Sequence, residues 1–537
     1  MPGFTYPQLP LDGLLRRAAE RDPDGCAVRT AAGAATFAEL DALTDRFASC
    51  VLHLGSGPGA RIGVANALGL EFPAAYYGAV RGGGTAVLVN PLIREAGLVH
   101  VFTAAAVEVA FVPSATAEVL AKLRDRLPAL RVVVVTDADD GVVPGDCVPL
   151  AVALAVPPGA VPAGLPWSGP GPGPDLDADA CVQFTTGTTG RPRGVRLTHR
   201  NLVANAAQTA AAHHLDGRSV TLNHLPLYHT MHLNSAVFAG ACQVLCTDPD
   251  PLASLALAAR SGATHYYGLP ARLQRLAGTL AGTGPSPEGV PAGPALTAVL
   301  SGGTALAPAT AHALSSRLGV PVVQGYGMAE LSPLSHCQSP GGGGHRGSVG
   351  RTVPGTECRV VHLDTRRPLD VYATGEVQVR GPQLMAGYLD GPEGPGADPE
   401  GWFSTGDVGY LNEDGELYLV DRLGDVFKYD NELVSPTTVE GVLAEDPRVA
   451  DCVVVGWPDP VHGAVTWAGI VLRDPTAPGL LDTLDSIVDG ANRRLARFER
   501  IRRVEVVDAV PRTPVGKPER RALRQALRSR AAAEAAA

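Results

Sequence analysis

Residues 36–90 alternate helical patterns with short apolar strands, and this alternation restricts the chain to an α/β architecture. Residues 36–52 (TFAELDALTDRFASCVL) place apolar side chains at helical spacing, residues 61–66 (RIGVAN) read as a strand, and residues 71–81 read as an apolar helix. Residues 82–90 (GGGTAVLVN) then supply a loop and a buried strand, and residues 132–136 repeat the pattern. With 537 residues the chain exceeds the roughly 250–300 at which a single core stops growing, so it must divide into domains. Residues 157–174 are dominated by Pro and Gly, which excludes helix and central strand and makes them a surface connection. After Asp421 short strands (452–455, 468–472, 504–507) alternate with helices (480–496, 518–530), the pattern of a separate α+β domain. The expected organisation is α/β and multi-domain: a large N-terminal domain of mixed sheets wrapped by helices at residues 1–421, and a small C-terminal domain at 422–537.

Bulk properties narrow the function classes. Hydrophobic residues make up 45% of the chain and charged residues 18%, values of an ordinary globular protein. The formal net charge is −10, with no dense Lys/Arg stripe outside the final segment, so nucleic acid is not an expected partner. No run of about 20 apolar residues occurs, and the amino terminus lacks a basic flank followed by an apolar stretch; a cytoplasmic protein without a membrane span is expected. The nine cysteines are scattered singly, with no CxxC pair and no metal-ligand spacing, and read as reduced thiols.

The most informative stretch for chemistry is residues 181–204, CVQFTTGTTGRPRGVRLTHRNLVA: an apolar strand, a loop of Thr and Gly, then a helical segment. Gly187, Gly190 and Gly194 allow close backbone approach and positive φ, and Thr185, Thr186, Thr188 and Thr189 offer hydroxyl donors. With Arg191 and Arg193 nearby the loop suits a polyphosphate. It is not a Walker A loop, because the GK[ST] ending is absent.

This stretch resembles the phosphate loop of the adenylate-forming superfamily of acyl-CoA synthetases, peptide-synthetase adenylation domains and luciferases. The resemblance continues through 226–229 (PLYH), 301–308 (SGGTALAP), 324–330 (QGYGMAE), 375–388 (GEVQVRGPQLMAGY), 401–425 (GWFSTGDVGYLNEDGELYLVDRLGD) and 511–521 (PRTPVGKPERR), in the family's order over nearly the whole chain. It implies an AMP-forming acid–thiol ligase that uses ATP and Mg²⁺ to make an acyl-AMP, and then forms a thioester with coenzyme A. The small domain is implied to be mobile.

The resemblance also implies residue roles. Thr185, Thr186, Gly187, Thr188, Thr189 and Gly190 hold the β/γ-phosphates, Arg193 supplies charge, and Glu330 coordinates Mg²⁺, a hard cation that suits a carboxylate. Gly302, Gly303 and Thr304, with Tyr326, Gly327, Met328 and Ala329, form the nucleotide site, Tyr326 lying against adenine. Asp407 accepts hydrogen bonds from the ribose, reinforced by Arg422. Lys517 enters from the small domain to bridge the carboxylate and α-phosphate oxygens. His229 gates the acid pocket, expected along residues 229–240, 301–305 and 328–333. The Asp that binds a substrate ammonium in amino-acid-activating members is missing, so a non-amino carboxylic acid is expected. Thr230, His232 and Asn234 hint at an oxygenated or cyclic one.

Four positions depart from the family pattern. Gly424 stands where a hinge Lys is common, with Asp425 beside it as the pivot, and Asn431 replaces the Gly that lines the thiol channel. Ala329 replaces a Thr near the α-phosphate, and Arg193 a Lys. These leave alternative readings: an enzyme confined to one half-reaction beside a partner ligase, delivery to an acyl carrier protein, or a non-catalytic nucleotide-binding homologue.

Overall fold

The structure is a computed structural model that describes residues 4–54, 58–65, 67–90, 92–138, 142–155, 175–185, 192–224, 229–282, 295–342, 344–392, 394–430, 432–474, 479–512 and 518–536. The Pro/Gly-rich connection 157–174 lies outside the described residues. The chain forms two compact units: residues 1–358 with 379–403 and 415–417, and residues 359–378 with 404–414 and 418–537.

The first unit carries two large mixed sheets. In the eight-stranded sheet the order is Gly387–Tyr388, Arg193–Thr198, Asp179–Thr185, Thr85–Val89, Arg61–Ala65, Val109–Val112, Val132–Val135, Val148–Pro149. Its interior is parallel, and every residue of Thr85–Val89 and Val109–Val112 is buried, which is why these strands read as continuous apolar runs. The helix Phe37–His53 starts at the expected place because Thr36 and Glu39 form a reciprocal capping box, a device worth about 1 kcal/mol.

In the nine-stranded sheet, Val322–Gly327, Ala298–Ser301, His265–Gly268, Val220–His224, Cys242–Cys246 and Cys26–Arg29 run parallel, with antiparallel strands added at both ends. Ligands of such sheets gather at the carboxyl ends of the strands. Here those ends are Ser301, Gly327 and Gly268, so the motifs 301–308 and 324–330 start where a ligand can reach them.

The second unit holds most of a four-stranded sheet, in the order Glu357–Val361, Gly375–Arg380, Phe403–Leu411, Leu417–Arg422, and a five-stranded sheet. The five-stranded sheet is built on the hairpin Val449–Asp459/Gly463–Leu472, with Ile501–Val506 added parallel to the second strand. Helices Pro436–Leu443, Leu480–Asn492 and Arg520–Ala536 accompany it, and Trp467, Val439, Ile470 and Ile487 lie in its core. This is the α+β region expected beyond Asp421. Both levels of the expected fold class are present: a large region of mixed sheets with helices, and a smaller C-terminal region.

Candidate active site

The strands Asp179–Thr185 and Arg193–Thr198 pair antiparallel, with Thr185 opposite Arg193 at the open end of the ladder. They bracket the Thr/Gly loop, of which Thr186, Gly187, Thr188, Thr189 and Gly190 lie outside the described residues. Gly194 serves packing: a Cβ there would come within 2.5 Å of Leu389 Cδ1. Strand Gly387–Tyr388 adds to Arg193–Thr198, with Tyr388 opposite Val195.

That pairing brings three motifs together. The Arg193 guanidinium carbon sits 3.2 Å from the centre of the Tyr388 ring, and the Tyr388 hydroxyl donates to Glu330 Oε1 at 2.8 Å. The Glu330 carbonyl in turn accepts the Met385 N–H at 2.9 Å, fixing the short 3₁₀ turn Ala329–Leu331. Burial and the neighbouring Glu330 carboxylate raise the Tyr388 pKa, so the phenol keeps its proton and remains a donor. Tyr388 received no role from the sequence; its only signal was its place as the last residue of the 375–388 motif.

The nucleotide motifs sit where the parallel strands end. Gly303, in the exposed turn Gly302–Gly303–Thr304, has φ +86°, a conformation that favours glycine. The turn is tied down by Gln324, whose Oε1 accepts the Leu306 N–H at 2.9 Å. At Gly327 a Cβ would lie 1.9 Å from the Pro333 carbonyl oxygen, because the Met328 N–H closes the turn onto that same oxygen at 3.0 Å. Tyr326 is buried, its ring centre 5.8 Å from that of His336. Met328 and Ala329 are partly buried, at the entrance to the 3₁₀ turn.

His229 caps the helix Thr230–Ala239, its Nδ1 accepting the Met231 N–H at 3.3 Å. Its Nε2 meets the side-chain amide of Gln183, a residue of the strand that leads into the Thr/Gly loop. Burial pushes the imidazole pKa down to about 4, so His229 is neutral near pH 7 and can offer a hydrogen bond, not a positive charge. The polar residues that hinted at an oxygenated acid are largely committed elsewhere. Asn234 accepts from the Tyr77 hydroxyl at 2.9 Å and meets Tyr76, and the Thr230 hydroxyl meets His229 Nδ1 at 3.3 Å. His232 packs edge-on against Tyr267 at 4.5 Å, and its Nδ1 has no hydrogen-bond partner among the described residues.

In the second unit Arg422 Nε approaches Asp407 Oδ1 at 2.7 Å, pairing the two residues expected at the ribose. Gly406, beside Asp407, has φ +71° and accepts the Leu423 N–H. Lys517 and Asn431 lie outside the described residues; the residues on either side of segment 513–517 are well held. Arg512 and Pro518 form an antiparallel bridge, Glu519 N–H donates to the Pro511 carbonyl, and Arg512 pairs with Asp451 at 2.8 Å. Asp425, the expected pivot, is engaged by Arg524 at 3.1 Å and by Arg520 at 3.6 Å; Arg520 also pairs with Glu440 at 2.5 Å.

Among the described residues no group of three or more His, Cys, Asp or Glu could hold a metal ion. A Mg²⁺ that arrives with nucleotide does not need one, since it takes one or two carboxylates and fills its shell with phosphate oxygens and water. The carboxylate of Glu330 fits that requirement. No described helix is long and apolar enough to cross a membrane.

Residues 15–389 match the family model for the AMP-binding enzyme, and residues 438–517 that for the AMP-binding enzyme C-terminal domain. The 4-coumarate–CoA ligase 2 of Oryza sativa subsp. japonica is 33% identical over 98% of this chain and 94% of its own length. ATP-bound MatB from Rhodopseudomonas palustris superposes with a TM-score of 0.81 at 26% identity, covering 97% of this chain and 99% of that one. The amide bond synthetase McbA from Marinactinospora thermotolerans gives 0.79 at 27% identity, over 96% and 99% of the two chains. The chain therefore belongs to the AMP-binding enzyme family, and it is an AMP-forming acid–thiol ligase.

Proposed function

We propose that the chain activates a non-amino carboxylic acid in two steps, with the residues that the motifs single out. In the first step the acid's carboxylate oxygen attacks the α-phosphorus of ATP and pyrophosphate leaves. In the second the CoA sulfur attacks the acyl carbonyl carbon and AMP leaves. The observation that carries the reading is the convergence of Arg193, Tyr388 and Glu330 beside the hairpin that brackets the Thr/Gly loop. A cation, a donor and a carboxylate meet there, as stabilisation of polyphosphate charge requires.

In this reading Thr185 to Gly190 with Arg193 hold the β/γ-phosphates, and Glu330, oriented by Tyr388, takes Mg²⁺. Gly302 to Thr304 and Tyr326 to Ala329 seat the adenosine. Asp407 with Arg422 takes the ribose, and Lys517 bridges the carboxylate and α-phosphate. Neutral His229 borders the acid. The boundary between large and small domains falls at residues 421/422, between the two family-model matches. ATP and CoA are supplied in the cytoplasm, where this reading puts the chain.

For the acid we favour an aryl or other cyclic carboxylate. Support comes from the relative named 4-coumarate–CoA ligase and from the aromatic and imidazole groups packed around the helix Thr230–Ala239. The test is pyrophosphate release across a panel of aryl, alicyclic and fatty acids, with and without CoA. Acid-dependent release and acyl-CoA formation are expected for aryl acids. Acyl-AMP that accumulates beside CoA with no thioester would overturn the second step and direct the search to a carrier-protein thiol or a partner ligase. No release with any acid would overturn the first.

A further inference from the structure

Cys26 and Cys242 are 216 residues apart in sequence, yet their sulfurs lie 2.7 Å from each other. That is inside the roughly 3.5–4 Å at which non-bonded heavy atoms pack. Cys26–Arg29 runs parallel and adjacent to Cys242–Cys246; Val28 lies opposite Gln243, which sets Cys26 one residue out of register with Cys242, at the start of its strand where the pairing with Ala34–Thr36 is irregular. Neighbouring strands sit about 4.7–4.9 Å apart and residues rise about 3.3 Å along a strand, so a one-residue offset stays inside the roughly 4.4–6.8 Å Cα span of a disulfide. Cys242 is buried, while Cys26 is only half-buried and open to a small reagent.

We propose that Cys26 and Cys242 form a reversible disulfide, a modification site separate from the adenylation machinery. The co-reactant is a low-molecular-weight disulfide such as oxidised glutathione. The Cys26 thiolate attacks one glutathione sulfur, forming a mixed disulfide and expelling one glutathione thiolate. Cys242 then gives up its proton and attacks Cys26 Sγ, expelling the second glutathione thiolate. The two protein protons end on the two glutathiones, and the protein is oxidised by two electrons. The local chemistry supports this order: the hydrogen bond from Cys242 and the nearby Arg29 charge bring the Cys26 pKa down to about 7 against the opposing effect of burial, whereas Cys242 is raised. Cys242 follows Gly240, the left-handed cap that ends the helix Thr230–Ala239. The bond therefore ties the far end of the helix capped by His229 to the amino-terminal strand.

The test is a peptide map of the full-length protein equilibrated in glutathione buffers from fully reduced to fully oxidised, quenched with acid and alkylated. Trypsin places Cys26 on residues 22–29 and Cys242 with Cys246 on residues 219–260. The expected product is these two peptides joined with the loss of two hydrogens, with fragmentation assigning the bond to Cys242 and dithiothreitol releasing it. The cross-linked form melts at a higher temperature than the reduced form, because the bond closes a long loop of the unfolded chain. Cys242→Ser traps a glutathione adduct on Cys26, and Cys246→Ser leaves the cross-link intact. The proposal is overturned if both thiols alkylate freely in the oxidised buffer. A persistent wild-type Cys26–glutathione adduct, or a cross-link between two copies, would overturn it as well.

Discussion

The Tyr388 hydroxyl donates a 2.8 Å hydrogen bond to Glu330 Oε1 while the Arg193 guanidinium lies over the face of the same ring. The phenol thus does two jobs: it orients the carboxylate and gives the arginine a surface to lie on. Tyr388→Phe keeps the ring and removes only the hydrogen bond. A hydrogen bond to a charged group contributes about 1.5–3 kcal/mol, so acid-dependent pyrophosphate exchange is expected to fall by roughly 10- to 100-fold. The Mg²⁺ concentration for half-maximal activity is expected to rise, whereas Tyr388→Leu, which also removes the surface under Arg193, should weaken ATP binding in addition. Unchanged Mg²⁺ dependence in Tyr388→Phe would separate the pair from metal binding.

The proposed function gives Lys517 the carboxylate and α-phosphate, and the described residues that flank segment 513–517 are held by the Arg512–Pro518 bridge and the Glu519 N–H to Pro511 hydrogen bond. Lys517→Ala should therefore lose acid-dependent pyrophosphate release, by at least the roughly 100-fold that removal of one oxyanion donor costs. Its melting temperature should change little. Normal release by the variant would remove Lys517 from the first step.

Several histidines are held neutral inside the first unit. Burial lowers the pKa of His213 to about 3, of His336 to about 3 and of His229 to about 4, whereas each binds a proton near pH 6.5 once unfolded. Each folded pKa is depressed, so between pH 4 and 6.5 the unfolded state binds more protons and stability falls as the pH is lowered. Stability is fully present above about pH 6.5, and each histidine contributes a slope of about 1.4 kcal/mol per pH unit well below it. Chemical denaturation at pH 7, 6 and 5 should show this decline. His336→Gln should flatten the slope by one histidine's share, whatever it does to stability at pH 7; an unaltered slope would mean that His336 is protonated in the fold.

The alternation at residues 36–90 was legible because parallel strands buried on both faces leave unbroken apolar runs, and a Thr/Glu capping box marks the helix start. The sequence pattern marks only 452–455 of the strand Val449–Asp459. Its outer residues, Pro458 among them, gain strand conformation from the ladder to Gly463–Leu472 and not from their own preference. Site residues inside contiguous motifs were legible for the same local reason. The Tyr388–Glu330, Gln183–His229 and Cys26–Cys242 contacts join residues 58, 46 and 216 apart in sequence, and only tertiary packing brings them together. The hydrogen bonds that tie Asn234 to Tyr76 and Tyr77 are invisible in the sequence for the same reason, since that helix lies more than 150 residues upstream.

Arg81 ends the helix Glu71–Arg81 with its side chain 2% exposed, and Asp12 beside it is buried as well. Its Nε pairs with Asp12 at 3.1 Å, Nη2 with Asp41 at 2.5 Å and Nη1 with Asp45 at 2.8 Å. Burial works against the guanidinium charge, but the three carboxylates outweigh it and the net shift of its pKa is upward. Breaking such a pair leaves an uncompensated charge inside the protein, which costs about 3–5 kcal/mol. Arg81→Met preserves most of the volume and should lower stability by that amount, read as a reduced denaturation midpoint. Restoring neutrality on the other side tests the cause: Asp12→Asn in the Arg81→Met background should recover part of the loss, because it removes the carboxylate that Arg81→Met leaves stranded. A double variant no more stable than Arg81→Met would mean that the loss comes from packing of the guanidinium and not from its charge.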